Sequence, residues 1–277
     1  MSSPPPLTDR TALLRNRRRA DRDPALFLQE RAADEIQERL AEVNRTFTTP
    51  AIVSAFPQVW RDRLPGARII SDDEVLSLEP GAHDLVIHAL CLHWANDPVG
   101  QLVQCRRALR NDGLFMAVLF GGSTLSELRA CLSEAEVALT NGLSPRILPM
   151  GEIRDLGALL QRAGFALPVA DAATTTVTYA DAFRLMRDLR AMGEGNALAQ
   201  RLRHPTRRYM FVEAADRYAR HFPAEGGRIS ASFEMIYLTG WAPDESQQKP
   251  LRPGSAKIRL ADALRVPEQP LPHDPAT

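Results

Sequence analysis

Three residues sit where an α/β protein keeps its reacting groups. His93, Trp94 and Asn96 follow directly on the strand-like run Asp84–Leu90. Ligands in open parallel sheets bind outside the carboxyl ends of the strands. A histidine there can act as a base or a hydrogen-bond donor, because its pKa lies near neutrality. Trp94 can wall a ligand pocket or belong to the core. Asn96 or Asp97 reads as the cap of the next helix, since Pro98 follows at a first-turn position. A second group is Gly121-Gly122-Ser123-Thr124. It reads either as an anion site at a helix N-terminus or as a strand-to-helix turn. In the second reading Thr124-x-x-Glu127 forms a capping box. A third group is basic: Arg187, Arg190, Arg201, Arg203, Arg207 and Arg208. It is either an electropositive mouth for an acidic partner or a solvated helix face. Tyr237, Lys249 and Arg252 are placed to meet the same pocket from the last strand and tail.

Other chemistries find less support. His83 and His88 have no carboxylate or cysteine at ligand spacing, so no metal is expected. Cys91, Cys105 and Cys131 are odd in number and far apart, with no Cys-x-x-Cys pair. Lys+Arg and Asp+Glu both number 34, so no global charge draws the chain to nucleic acid. No apolar run approaches the ~20 residues of a membrane helix. Arg15, Arg17, Arg18 and Arg19 are interspersed with Asp9, Asp21 and Asp23, unlike an acid-poor targeting peptide. The expectation is a reducing, cytoplasmic protein, compatible with peripheral association at a membrane.

The elements that must position these groups follow from periodicity. Helices are expected over 8–45, broken at Asp23-Pro24, which reads as an N-cap and first helical residue. Strands are expected at Ala51–Phe56, Ala67–Ile70, Asp84–Leu90 and Leu114–Phe120. The last is a continuous apolar run, fitting a strand buried on both faces. A helix between Pro98 and Leu109 should stop at Asn111-Asp112-Gly113. Helices are expected from Thr124 to Asn141-Gly142 and over Glu152–Ala163. Strands Phe165–Val169 and Thr174–Tyr179 follow, then helices Asp181–Met192 and about Asn196–Arg220. Ile229–Leu238 alternates as a half-buried strand. Strands alternating with helices give an α/β, doubly wound, mostly parallel sheet.

At Asp84–Pro98 and Asn111–Gly122 the sequence resembles the class I S-adenosylmethionine-dependent methyltransferases. Leu92-His93-Trp94-Ala95-Asn96-Asp97 and Gly121-Gly122-Ser123-Thr124-Leu125-Ser126-Glu127-Leu128-Arg129 are similar to one branch. That branch holds the methyltransferase-like assembly factors of mitochondrial respiratory complex I, of arginine hydroxylase type, and their alphaproteobacterial relatives. Ser144-Pro145-Arg146, Asp188-Leu189-Arg190, Asn196 and Arg252-Pro253-Gly254-Ser255-Ala256 fit it too. The carrier-protein methyltransferases of biotin synthesis are a more distant likeness.

The resemblance implies a Rossmann-like methyltransferase sheet with an inserted helical cap. The corresponding organisation is a tail at 1–6, a domain over 7–265 and a tail at 266–277. Within the domain come N-terminal helices (7–45), a core sheet (46–180), the cap (181–225), and the last strand with its tail (226–265). It implies S-adenosylmethionine contacts at Leu90, His93, Trp94 and Asn96. Asp72 or Asp73 would stand for the acid that binds ribose hydroxyls. Substrate or partner contacts would be Gly121, Gly122, Thr124, Arg187, Arg190, Asn196, Tyr237, Lys249 and Arg252. The implied partner is a subunit of respiratory complex I.

One departure sets this chain apart. The family's first strand ends in a glycine-rich turn that lets backbone approach the cofactor. Here Phe56-Pro57-Gln58-Val59 stands in its place, and proline offers no N–H. Only 34 positions separate Pro50 from Asp84, little more than the ~30 residues of one βαβ unit. The first half of the sheet is therefore expected to be shortened. Three functions stay open: a modifying enzyme with a weakly or atypically held cofactor, a catalytically degenerate scaffold for assembly, and a small-molecule or carrier-protein methyltransferase.

Overall fold

The computed structural model describes residues 5–248. The chain divides into Met1–Pro243 and Asp244–Thr277. Of the second unit, the described residues 244–248 form a turn in which Ser246 N and Oγ donate to Asp244 Oδ1. Lys249 and Arg252, with the expected end of the domain at 265 and the tail 266–277, lie outside the described residues.

The elements run α1 (Arg10–Ala20), α2 (Phe27–Glu42), β1 (Pro50–Ser54), β2 (Arg68–Ile70), β3 (His83–Ala89), α3 (Pro98–Ala108), β4 (Leu109–Phe120), α4 (Ser126–Thr140), α5 (Ile153–Arg162), β5 (Ala166–Tyr179), α6 (Ala182–Ala191), α7 (Arg208–His221), β6 (Pro223–Ala224) and β7 (Arg228–Trp241). The sheet order is β2-β1-β3-β4-β7-β5, with the two-residue β6 paired to β7. β2, β1, β3 and β4 are parallel; β7 runs antiparallel to both β4 and β5.

The period-2 alternation of the central strands explains the two layers. Ile52, Leu85, Ile87, Leu114, Met116 and Val118 face one core, under α2, α4, α6 and α7. Ala51, Val53, Val86, Phe115, Ala117 and Leu119 face the other, under α3 and α5. Each of the large side chains, fully removed from water, contributes ~1.5–3 kcal/mol. A third, smaller cluster joins Ala12 and Leu13 of α1 to Trp94, Leu148, Ala197 and Leu198.

The first half is indeed short. β1 reaches β2 through a single 3-10 turn, Pro57–Val59, and residues 71–82 between β2 and β3 contain no helix. The sheet has one strand, β2, outboard of β1.

Several local expectations give way. α2 begins at Phe27 behind Leu26, not at Pro24; the linker is instead pinned when Ala25 N–H donates to Ala191 O. Phe165–Val169 and Thr174–Tyr179 form one strand, with a register shift between Ala166 and Val169. Of the helix expected over 196–220 only α7 exists. Residues 196–207 stay irregular because they brace the N-terminal segment: Thr8 bridges Leu198, and Asp9 N–H donates to Ala197 O. Leu109 opens β4 rather than closing α3.

Of the two cap candidates Asp97 is the one used, capping α3 by accepting from Gly100 N. Asn96 accepts from Thr8 N and donates to Thr8 O and Glu74 Oε1. Thr124 and Glu127 have capping-box spacing but serve β7. Thr124 Oγ1 exchanges hydrogen bonds with the Glu234 backbone, and Glu127 accepts from Ser232 N and Oγ. α4 starts behind Leu125, which adopts a left-handed conformation with φ 54°.

Candidate functional site

The carboxyl ends of β1, β2, β3 and β4 converge under α1 and the loop that follows α6. At the end of β2, Asp72 is buried and bound by two arginines of α1. Arg17 Nη1 donates to Asp72 Oδ1 at 2.6 Å, and Arg10 donates to Oδ2 at 3.2 Å and to the Asp72 carbonyl at 2.7 Å. Burial pushes the Asp72 carboxyl up, but the charge of Arg17 and both arginine bonds outweigh it and hold it below the usual carboxylate range. Asp73 is exposed and accepts from Ser71 Oγ.

At the end of β1 the donors are spent within the turn. Phe56 N–H donates to Ser54 Oγ, and Val59 and Trp60 N–H donate to the carbonyls of Phe56 and Pro57. The Phe56 ring is 1% exposed. It reaches within 3.4 Å of the place a Cβ on Gly193 would take. Gly193, with φ +78°, lets the loop after α6 pass between Phe56 and Arg17. What remains open beside Leu14, Arg17, Ser54, Ile70 and Asp72 is a cleft of about 250 Å³. This corner thus lacks the glycine turn of a nucleoside cradle, and the carboxylate suited to ribose hydroxyls already carries two arginines.

At the end of β3, Leu90 is buried in a left-handed conformation, φ 46°, with its N–H on Val118 O. Such backbone is costly for a residue with a branched side chain and is stored where surroundings enforce it. A short 3-10 turn then presents Leu92, His93 and Trp94. Trp94 Nε1 donates to Glu194 Oε2 at 2.7 Å, and His93 Nε2 lies 3.4 Å from the same oxygen. The His93 side chain is 1% exposed, its ring packs 5.0 Å from that of Phe120, and its buried Nδ1 has no partner. His93 therefore touches Glu194, not an open site; its bearing on chemistry runs through that carboxylate.

Next to Glu194 an apolar cavity of about 300 Å³ is walled by Phe120, Leu128, Met186, Leu189, Phe211 and Phe233. Thr124, Asn196, Arg146 and Arg190 also reach it. Arg146 is already committed: its Nε and Nη2 bind Glu136 and its Nη1 binds Thr206. Burial raises the Glu136 carboxyl, but Arg146 and Ser144 bring it down to about 2. Asn196 donates to Pro145 O and accepts from Leu198 N.

The remaining candidates sort by position. Gly121 N–H donates to Glu234 O, and Ser123 N–H to Glu234 Oε2, so the protein's own carboxylate occupies the turn expected to bind an anion. Gly122 packs close to Glu152. Tyr237 is buried on β7 away from the cavity, its ring 4.2 Å under the Arg39 guanidinium, and burial pushes its hydroxyl up to about 12. Arg187 is exposed on α6. Arg201 and Arg203 bind Asp9, the cap of α1; the Ala12 N–H and these arginines hold its carboxyl down to about 2. Among the described residues no group of three or more His, Cys, Asp or Glu is placed to hold a metal, and no helix is long and apolar enough to cross a membrane.

Glu194 and Arg17 are the site residues that sequence reasoning missed. Glu194 follows a helix end in a loop with no motif, and Arg17 is one of several arginines on α1. Neither carries a local signal, since each is defined by partners 55 to 101 positions away.

Parallel strands flanked on both sides by helices, closed by an antiparallel final strand and with a pocket at their carboxyl ends, define a protein of the methyltransferase fold. A profile described as a methyltransferase domain matches residues 33–117. A zebrafish (Danio rerio) protein named arginine-hydroxylase NDUFAF5, mitochondrial, is 36% identical over 233 residues, covering 83% of this chain and 72% of that one. Its Dictyostelium discoideum counterpart is 42% identical over 69% of this chain, which spans 44% of that longer relative. The solved structure of the YcgJ protein of Bacillus subtilis aligns at a TM-score of 0.47 and 13% identity, over 77% of this chain and 99% of that one. The chain belongs to the NDUFAF5 family.

Proposed function

We propose that this protein acts on a protein partner, a subunit of respiratory complex I, in assembly or side-chain modification, and that it holds S-adenosylmethionine weakly or not at all. The observation that carries the reading is a contrast between two neighbouring spaces. The corner that would seat a nucleoside keeps a cleft of about 250 Å³, but its turn has no glycine and its carboxylate is already bound by Arg17 and Arg10. The cavity beyond Trp94 stays open and apolar, as a site for an inserted side chain requires. Family membership supports the partner, and the names of the relatives support an arginine as the residue addressed. The same reading keeps the protein in the cytoplasm, meeting a membrane-bound partner from outside the bilayer.

A scaffold without catalysis is favoured by the same glycine-free turn and arginine-bound carboxylate. A methyltransferase acting on a small molecule or carrier protein would need Leu90–Asn96 to grip the cofactor alone. Calorimetric titration with S-adenosylmethionine and S-adenosylhomocysteine separates these readings. A micromolar dissociation constant would sink the weak-cofactor part. A ligand at 100 times its dissociation constant stabilises by ~2.7 kcal/mol, so the absence of a thermal shift at millimolar ligand supports it. For the partner, complex I is purified from cells lacking the protein. Unchanged assembly and unchanged arginine masses in all its subunits would overturn the assembly reading.

A further inference from the structure

We propose that the outer edge of β5 is a dimerisation surface, on which a second copy of this chain pairs its own β5 antiparallel about a two-fold axis at Thr174. No residue of β5 lines the cavity beside Trp94, so the surface is separate from the site described above.

β5 is 14 residues long and ends the sheet; among the described residues it pairs with β7 alone. The backbone groups on its free side can be assigned. In an antiparallel pair, a residue either exchanges both hydrogen bonds with its opposite or directs both away. Glu234 lies opposite Thr174; its N–H donates to Thr124 Oγ1 and its carbonyl accepts from Gly121 N. Ser232 lies opposite Thr176; its N–H donates to Glu127 Oε2 and its carbonyl accepts from Leu125 N. Both residues turn away from β5. Thr174 and Thr176 therefore aim N–H and C=O at the outer edge, and Ala172 does so by the same alternation. The side chains of all three are exposed as well.

Such edges are ordinarily blunted by shortness, charge, proline or a bulge. β2, at the other side of the sheet, is three residues long and begins at Arg68. On β5, Pro168 and the register shift between Ala166 and Val169 guard only the start. Arg228 donates to the Thr178 carbonyl at the far end. Between these guards the one charged side chain is Asp171, which Arg39 holds. The rest is alanine, threonine and valine, and the last two favour a pleated strand.

The sequence favours a second copy as the occupant. A two-fold axis makes every contact reciprocal. About Thr174 it sets Thr174 against Thr174, Ala172 against Thr176 and Ala173 against Thr175, so no like charges meet. All three outward-facing residues then bond to outward-facing residues. The start of one strand, where Leu167 and Val169 are exposed, comes beside the end of the other, which leads into exposed Phe183. Apolar groups at opposite ends of one edge are thereby brought together.

The test is sedimentation equilibrium of the full chain through the micromolar range, where the unaltered protein should form a dimer. Ala172→Lys with Thr176→Lys sets like charges opposite one another and should raise the dimer dissociation constant about tenfold or more. Ala172→Glu with Thr176→Lys sets opposite charges at the same contacts and should dimerise as the unaltered chain does. A monomer at every concentration overturns the proposal and leaves the edge to a different protein. So does a dimer that the lysine pair leaves intact, or one that the Glu-Lys pair weakens equally. If a melting curve shows the lysine pair unfolded, hydrogen exchange of the unaltered chain decides. The Thr174 and Thr176 amides should exchange more slowly as the protein is concentrated; rates independent of concentration overturn the proposal.

Discussion

Arg17 Nη1 stands 2.6 Å from Asp72 Oδ1, and the two side chains are 8% and 4% exposed. The pair fixes α1 over the carboxyl end of β2. Burial lowers the Arg17 pKa, but Asp72 raises it further, so both partners stay charged. Replacing Arg17 by methionine leaves Asp72 to the longer contact from Arg10. Breaking one side of a buried pair costs roughly 3–5 kcal/mol. Urea unfolding of Arg17→Met should show a loss in that range; a loss below about 1 kcal/mol would mean that Arg10 suffices.

Gly193 and Gly66 both have positive φ, +78° and +82°. An added Cβ at Gly66 meets nothing within 4 Å, whereas at Gly193 it stands 3.1 Å from Arg17 Cγ. Both alanine variants should lose ~1–2 kcal/mol for the left-handed backbone. Gly193→Ala should lose more than Gly66→Ala in the same denaturation assay. Equal losses would show that the loop after α6 yields freely.

Trp94→Phe removes the Nε1 donor together with the five-membered ring of the indole. A hydrogen bond to a charged acceptor contributes about 1.5–3 kcal/mol, and the lost buried volume adds to it, so the variant should be less stable by at least that amount. An unchanged urea midpoint would show that His93 alone orients Glu194.

His88 is fully buried between Gln101 Oε1, 2.8 Å away, and Cys91. Burial lowers its pKa to about 4, with Gln101 opposing. The unfolded chain takes up this proton near pH 6.5. The folded form binds fewer protons between those values, so stability is full above about pH 6.5 and falls as the pH drops toward 4. The fall attributable to His88 is about 3 kcal/mol. His88→Gln should flatten that limb in urea midpoints measured from pH 7 to 4.5; an unaltered slope would assign it to other groups.

Much of the fold was legible because its signals are local. Leu114–Phe120 is apolar throughout and became the strand buried on both faces. The glycine-free turn at Phe56 and the short run from Pro50 to Asp84 foretold the reduced first half. Expectations failed where distant chain segments redirected a local pattern. Thr124 and Glu127 have the spacing of a cap, yet β7 takes both side chains. Residues 196–207 have helical composition, yet they serve as a brace for Thr8 and Asp9. The site was half legible. Trp94 both lines the cavity and packs with Ala12 and Leu13, so the two roles that its position offered meet in one side chain. Glu194 was invisible, because its role is written by a tryptophan 100 positions earlier.

The brace between Asp9 and Arg203 spans 194 positions. A ribosome adding ~5–20 residues per second needs roughly 10–40 s to make the second partner after the first. Throughout that wait Leu13, wholly buried in the finished protein, has no Leu198 to shelter it. The N-terminal segment therefore stays without its packing partners for most of the chain's synthesis, and α1, at 11 residues too short to hold as a helix alone, gains its final structure late.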